Sequence, residues 1–411
     1  MHSRSAVNVH DITRHLRRVA GTAKRTAQRV AHLASEGIVA RRYRGVPHGS
    51  KEPFELVYVG REMFARELEV YFKRDDADKI QPIDTMFRGS VAHFAIERRR
   101  IEREADNADF VACEEFPGAL SFDADALHSP MLDAELRVER SVADQIRHVR
   151  SRAQRRAMRE VLASCRYSTW VDSSERAFDV FDEKLHAPYV RRRFGDWAAL
   201  DDAATMRRLY ARGGRILFVA NAKEPREPVC GTLLLDAGGG TLAYQLNGFT
   251  STPETIAEHT TALELALFQH AIDYGYARIN LGYTRAMLDD GLFTHKRRLG
   301  CSFAPACGSP LFRVRAGSGK RASIYARFPL LVGRPGEWTA MLGFDGGAHP
   351  GKRAWHAKLK NYRVPGLARA VVWTPAEPHA DEAMFREAIT ETLDLPDGIE
   401  FRREPQRGGT P

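Results

Sequence analysis

The stretch INLGYTRAMLDDGLFTHKRRLG, residues 279–300, combines a strand, an acidic turn and a cationic run. Its apolar start, Ile279–Tyr283, predicts a strand that is interrupted by Gly282. The sequence Asp289–Gly291 is typical of a turn. Lys296–Arg298 follows as three consecutive cations. The pattern predicts a strand within a sheet, a turn that redirects the chain, and a cationic segment that either binds a phosphate-bearing ligand or faces solvent.

The elements that precede this stretch follow a regular order. Apolar spacing and Gly stops predict two helices, a strand, a two-stranded hairpin and a long helix, at 177–196, 203–214, 215–221, 227–249 and 251–276. The strand of the opening stretch comes after the long helix, which predicts a crossover connection. The predicted fold class is therefore α/β, with an α+β type of mixed sheet.

The chain has 411 residues, which is too long for one ordinary core and predicts several domains. Composition and charge divide it into a basic N-terminal helical arm, a region of short strands and helices, a basic connecting helix, the regular α/β region, and a C-terminal extension to which no role is assigned. Their predicted bounds are 1–46, 54–140, 141–160, 161–310 and 311–411.

Positive charge is concentrated at the N-terminus. Residues 1–46 hold ten Lys or Arg against two acidic residues, nearly the whole net charge of +9. Such an arm can bind an anionic surface, nucleic acid or an acidic partner, or act as a solubilising helix. In the connecting helix, four arginines at helical spacing share one face, either as a solvated face or as an anion-binding stripe: Arg152, Arg155, Arg156 and Arg159.

Several protein classes are excluded by composition. No apolar run of about 18 residues occurs, so no transmembrane segment is predicted, and the N-terminus lacks the apolar core of a secretory signal. Five cysteines without a CxxC pair predict reduced thiols in a cytoplasmic protein. Cys301, Cys307 and His295 match no zinc spacing, so no metal is expected.

The order of elements, together with four segments, resembles the GNAT superfamily of acyltransferases, and more narrowly its FemAB-like and CelD/BioF-like branch. The segments are YVRRRFGDWA (189–198), GGRILFVAN…PVCGTLLLD (213–236), HAIDYGYARINLGYT (270–284) and DDGLFTHKRRLG (289–300). The resemblance covers residues 140–303 and implies two GNAT-type subdomains, the second better defined and the first, 54–140, degenerate. The pyrophosphate signature Q/R-x-x-G-x-G/A of many GNAT enzymes is missing at NGFTSTPETIAEH (247–259).

The resemblance implies an N- or O-acyltransferase. It would move an acyl group from acyl-CoA, acetyl-CoA or longer, to an amine or hydroxyl of a small-molecule, cell-envelope or polysaccharide precursor. Two alternatives stay open. One is an aminoacyl-tRNA-dependent ligase of the FemAB type. The basic arm and the arginine stripe favour it, because positive charge spread over a surface increases the affinity for the phosphates of tRNA. The other is a non-catalytic binding module on the same fold, which the missing signature favours.

Three residues are candidates for the chemistry. Asp290 could accept the proton of an attacking amine, although Asp-Gly is also ordinary turn chemistry. Tyr283, at the end of the strand, could donate to a leaving thiolate, or be a half-buried aromatic. Tyr244 in the hairpin alternates with apolar residues and could face the same cleft or the core. Cys301 as an acyl-carrying nucleophile has no support, because no His–Cys arrangement is visible.

The binding candidates are mostly cations. Lys296, Arg297 and Arg298 are predicted to bind a cofactor phosphate, since the family pattern has a Lys-Arg-Arg run here; Arg285 and Gly282 complete this site. Arg192 and Arg193 are candidates for a substrate carboxylate, or complement the dipole of their own helix. The long helix also carries Glu258, His259 and Glu264, which its mixed composition predicts to face solvent.

Overall fold

The computed structural model describes residues 37–46, 53–62, 64–65, 79–116, 119–194, 203–250, 252–346 and 351–405. Residues 1–36 of the predicted N-terminal helical arm lie outside them. The described part of the predicted helical arm is instead a strand, Ile38–Val46, hydrogen-bonded to a neighbour on each side. Its arginines Arg41, Arg42 and Arg44 pair with glutamates, so their charge belongs to the sheet surface.

The helices among the described residues are α1 Val91–Asp106, α2 Val142–His148, α3 Arg152–Ser164, α4 Glu175–Val180, α5 Ala187–Phe194, α6 Ala203–Tyr210, α7 Ile256–Asp273, α8 Gly291–Leu299, α9 Arg321–Arg327, α10 Lys352–Lys360 and α11 Glu382–Thr392. A π-helical turn, Phe181–His186, joins α4 to α5. The strands are β1 Ile38–Val46, β2 Phe54–Arg61, β3 Lys79–Gly89, β4 Phe110–Glu114, β5 Ala126–His128, β6 Met131–Arg137, β7 Tyr167–Asp172, β8 Arg215–Asn221, β9 Pro228–Asp236, β10 Thr241–Phe249, β11 Arg278–Arg285, β12 Ser302–Pro305, β13 Phe312–Ala316, β14 Leu330–Val332, β15 Trp338–Gly343, β16 Leu367–Thr374 and β17 Ile399–Arg403.

The described strands form three sheets, ordered β3-β1-β2-β4-β13-β5, β12-β6-β11-β10-β9-β8-β7 and β14-β15-β16-β17. Each sheet mixes parallel and antiparallel pairs. The predicted mixed α/β fold is confirmed. The predicted crossover is also present, because β10 and β11 pair in parallel and α7 connects them.

The second sheet has different cover on its two faces. Helices α2, α3 and α7 share one core with its strands, through residues such as Leu234, Leu242 and Leu263. On the opposite face, α4, the π-helical turn and α6 cover β8 and β9 around Phe178 and Phe218. These helices leave β6 and β11 uncovered on that face, where Tyr283 is 55% exposed.

The predicted C-terminal extension is built into the body of the protein. Its first strand, β13, inserts between β4 and β5 of the first sheet. Its other strands make the third sheet, in which α10 and α11 connect three parallel strands. Met341 and Val371 share a core with the first sheet, while Leu342 and Val372 share one with the second. The third sheet therefore joins the other two.

No helix in the described ranges has the length and apolarity needed to cross a bilayer. All five cysteines are free. Groups of three or more His, Cys, Asp or Glu side chains that could hold a metal ion do not occur among the residues that the structure describes.

Candidate functional site

A gap opens in the second sheet between the parallel strands β10 and β11. They pair only at Thr241–Ala243 with Arg278–Asn280, and both strands then continue without pairing to each other. The register of β10 with β9 shifts after Tyr244, and that of β11 with β6 shifts after Asn280. The gap lies at the carboxyl ends of both strands, which is where ligands bind in open α/β sheets.

Gly282 lies at the irregularity of β11. Its φ is +73°, a conformation that other residues rarely adopt, and the Asn280 side chain accepts its N–H at 2.7 Å. The predicted interruption at Gly282 is therefore a bulge in the strand. The bulge faces β10, because a Cβ on Gly282 would lie 3.6 Å from the carbonyl oxygen of Tyr244.

The two tyrosine candidates are not brought together. Tyr244 is half-buried in the core that contains α7, where burial and the charge of Glu264 raise its pKa well above the usual value. Tyr283 stands opposite Asp133, on the other face of the sheet, and is exposed. Partial burial, followed by the charge of Asp133, raises the pKa of Tyr283. The two side chains therefore do not share one cleft, and a catalytic role for either tyrosine stays a prediction.

Asp290 caps α8. Its Oδ1 accepts the Phe293 N–H at 2.8 Å, and the Thr284 hydroxyl lies 3.4 Å from the same oxygen. Arg285, another candidate, lies 3.7 Å from Oδ2. The turn residue predicted from Asp-Gly thus begins a helix, as aspartate does at many N-caps. Its role as a proton acceptor stays a prediction.

The cationic run is distributed in three directions, because successive helix residues point about 100° apart. Lys296 is buried and donates to the carbonyl oxygens of Gly282, at 3.0 Å, and Tyr283, at 2.6 Å. Arg297 is also buried, and donates to Asn361 and Arg363. Arg298 is exposed. Lys296 therefore anchors α8 to β11, while only the two arginines lie together.

We expect Lys296→Met to remove a pH-dependent part of the free energy of unfolding. Burial lowers the pKa of Lys296 from 10.5 to about 8. Between these values the unfolded chain binds more protons than the folded one, so the contribution of Lys296 to stability rises from pH 8 to 10.5 and is lowest below pH 8. Urea unfolding at pH 7 and pH 10 should show wild type gaining stability relative to the variant. Lys360→Met, at an exposed lysine, is the control. If the difference in free energy of unfolding between wild type and Lys296→Met is the same at pH 7 and pH 10, the expectation is wrong.

Arg150, Arg297 and Arg298 form a cationic cluster at the C-terminal end of α8. The backbone N–H of Arg150 donates to the Arg298 carbonyl at 2.7 Å. Burial, followed by the charges of Arg298 and Arg150, lowers the pKa of Arg297 to about 10. None of the three has an ion pair with a carboxylate in the described part of the chain. The cluster therefore carries positive charge that an anion could neutralise.

A pair that the sequence did not reveal links α7 to α8. Glu264 is only 4% exposed, and its Oε1 lies 2.6 Å from Nε2 of His295. The other oxygen accepts a hydrogen bond from Gln154 of α3 at 3.1 Å. The prediction that Glu264 faces solvent is wrong, because α3 and α8 cover the side of α7 that carries it. A lone carboxylate within the apolar run 262–268 was the signal that could have found it.

Arg192 and Arg193 lie on α5, near the end of β10. Arg192 donates to the carbonyl oxygen of Phe249 at 3.3 Å. Arg193 lies over the ring of Tyr189 and donates to its hydroxyl. Cys301 is fully buried, which raises the pKa of its thiol to about 12 and removes it as a nucleophile near neutral pH.

No protein-family model and no curated protein matches the sequence. Among solved structures, a crystal structure of FemX is 14% identical, with a TM-score of 0.36, and the match covers 71% of this chain and 96% of that one. L-PGS from Bacillus licheniformis is 11% identical, with a TM-score of 0.30, and the match covers 55% of this chain and 74% of that one. The C-terminal domain (DUF2156) of a putative lysylphosphatidylglycerol synthetase from Agrobacterium fabrum is 10% identical, with a TM-score of 0.31. That match covers 74% of this chain and 94% of the other. Likenesses at this level do not assign the chain to a family.

Proposed function

We propose that the protein is an acyltransferase that moves an acyl group from acyl-CoA to an amine or hydroxyl of a small-molecule or cell-envelope precursor. The gap between β10 and β11 is the observation that carries this proposal. Backbone groups that face such a gap can hydrogen-bond an extended, amide-containing chain in the manner of an added strand. The pantetheine arm of CoA is a chain of this kind.

The cationic cluster supports a donor that carries phosphates. Arg150, Arg297 and Arg298 lie on and beside α8, which is anchored by Lys296 to the strand that borders the gap. Guanidinium groups bind phosphate through paired N–H donors. Both acyl-CoA and the acceptor end of an aminoacyl-tRNA have phosphates and an activated acyl carbonyl, so the cluster suits either donor.

The reaction would be direct attack of the acceptor on the thioester carbonyl. Holding donor and acceptor side by side converts an encounter in solution into a reaction within one complex, which is a large part of the rate enhancement. The open face of β6 and β11, where Asp133 and Tyr283 stand, supplies room for an acceptor beside the gap.

We expect Arg298→Ala to weaken donor binding by about 10- to 150-fold, since a hydrogen bond to a charged group contributes roughly 1.5–3 kcal/mol. Isothermal titration with acetyl-CoA, a longer acyl-CoA and bulk tRNA, each at low and moderate salt, measures the change. Arg212→Ala, an exposed arginine outside the cluster, is the matched control.

The outcomes separate the candidate functions. Binding of an acyl-CoA that is weakened by Arg298→Ala and not by Arg212→Ala supports the proposal. Binding of tRNA alone, lost as salt rises, replaces acyl-CoA with an aminoacyl-tRNA donor. If no acyl-CoA or tRNA binds the wild-type protein, the acyltransferase proposal fails and the binding-module alternative takes its place.

A further inference from the structure

Gln154, Glu264 and His295 form a chain of hydrogen bonds across three helices. Gln154 donates to one oxygen of Glu264 at 3.1 Å, and the other oxygen lies 2.6 Å from Nε2 of His295. Glu264 is nearly fully buried, whereas the His295 side chain is 38% exposed. A buried carboxylate thus holds an imidazole at the protein surface in one orientation.

The hydrogen bond also selects the tautomer of His295. The carboxylate of Glu264 can only accept, so Nε2 carries the proton and Nδ1 of the neutral ring keeps a lone pair. Nδ1 of His295 makes no hydrogen bond to the described residues. It is also not one of their buried polar atoms that lack a hydrogen-bond partner, so it is open to solvent. By contrast, Nδ1 of His148, His186 and His356 is engaged by a neighbouring oxygen.

This imidazole belongs to α8, the helix that Lys296 anchors to β11 at the border of the gap in the second sheet. It precedes Lys296, which binds the carbonyls of Gly282 and Tyr283 on β11. Its partner Glu264 acts electrostatically on Tyr244, the residue of β10 at which the two strands part. Asp290, the alternative base, is already engaged as the cap of α8.

We propose that His295, oriented by Glu264, is the general base that accepts the proton of the attacking acceptor. This role rests on the acyltransferase function proposed above. The acceptor nitrogen or oxygen forms a bond to the acyl carbon while its proton passes to Nδ1 of His295. The bond from the acyl carbon to sulfur, or to the ester oxygen of an aminoacyl-tRNA, then breaks. The proton passes from His295 to this leaving group, so His295 is restored.

The charged groups around His295 give the proposal a pH signature. Burial lowers the pKa of His295, but the hydrogen bond and charge of Glu264 outweigh it and hold this pKa above its usual value of 6.5; Lys296 and Arg298 act in the opposite direction. Gln154 of α3 is uncharged. Because the base must be neutral, the rate should fall as pH falls through this raised pKa. Glu264→Gln removes the charge that raises the pKa of His295. In this variant the fall of the rate on the acidic side of the pH–rate profile (the acid limb) should move to lower pH, and kcat should fall.

The test measures thiol release from acetyl-CoA with glycinamide as the probe amine, and acyl transfer from aminoacyl-tRNA to the same amine, between pH 5 and 9. We expect His295→Gln to lower kcat about 10²–10⁴-fold, the usual contribution of a general base, and added imidazole to restore part of the activity of His295→Ala. His93→Gln, an exposed histidine in α1, is the control.

The possible failures are distinct. A His295→Gln enzyme that keeps wild-type kcat, or a Glu264→Gln acid limb that does not move, overturns the role of His295 and leaves the acyltransferase function standing. A wild-type protein that transfers from neither donor overturns the proposed function and this role with it. Melting temperatures of all variants, together with the imidazole rescue, separate loss of the base from loss of the fold.

Discussion

Gly343→Ala is expected to lower the free energy of unfolding by about 3 kcal/mol or more, at or above the upper end of the usual cost of overpacking. A Cβ on Gly343 would lie 1.9 Å from the carbonyl oxygen of Ala322 and 2.4 Å from the nitrogen of Ala326. Both atoms belong to the backbone of α9, so no side-chain rotation can relieve the clash. The helix would have to move away from β15, and the core that joins the first and third sheets would open.

Urea unfolding, followed by tryptophan fluorescence, measures this effect. Gly291→Ala is the matched control, because a Cβ there meets no atom within 4 Å and the residue begins α8. Alanine is favoured over glycine in a helix, so the control should be neutral or slightly stabilising. Equal unfolding midpoints for the two variants would show that α9 does not pack against Gly343 as described.

Glu114→Gln is expected to destabilise the first sheet by about 3–5 kcal/mol, the cost of breaking a buried ion pair. The Glu114 carboxylate accepts from the Arg61 backbone N–H at 3.0 Å and from its guanidinium at 2.7 and 2.9 Å. Both side chains are more than nine-tenths buried. Glutamine keeps the shape of the side chain and removes the charge, so the Arg61 guanidinium would remain buried without a counter-ion.

The neighbouring Glu115→Gln provides the comparison. Glu115 pairs with Arg313 at 3.8 Å, and both side chains are about two-fifths exposed. Exposed pairs of this kind contribute about 0–1 kcal/mol. Thermal unfolding of both variants should therefore show a large loss for Glu114→Gln only. Similar losses at the two positions would mean that burial does not set the strength of the Arg61–Glu114 pair.

Local patterns were sufficient for the central part of the fold. The apolar periodicity of α7, the Gly-rich hairpin of β9 and β10, and the strand that follows α7 were predicted in their observed order. The glycine interruption in β11 was predicted as well, because glycine readily adopts the positive φ that the bulge at Gly282 uses. These features depend on contacts between residues that are near in sequence.

The partners of charged side chains were not predictable in the same way. The run Lys296–Arg298 suggested one cationic surface, yet Lys296 binds the carbonyls of β11 while Arg297 donates to Asn361, which follows the end of α10. Glu264 lies 31 residues from His295 and 110 from Gln154. No pattern along the chain specifies that these three side chains meet, since α3, α7 and α8 come together only through their common core.

The sequence by itself determined the order of helices and strands, the crossover through α7 and the bulge of β11, because backbone preferences and apolar periodicity act over a few residues. Only the tertiary structure decided where the strands after residue 310 pack and which polar groups face each other. β13 enters the first sheet, and the third sheet packs against both others, because each must bury an apolar face that its own segment cannot cover. Packing of α3 and α8 against α7 turned Glu264 from an expected surface residue into the buried partner of His295.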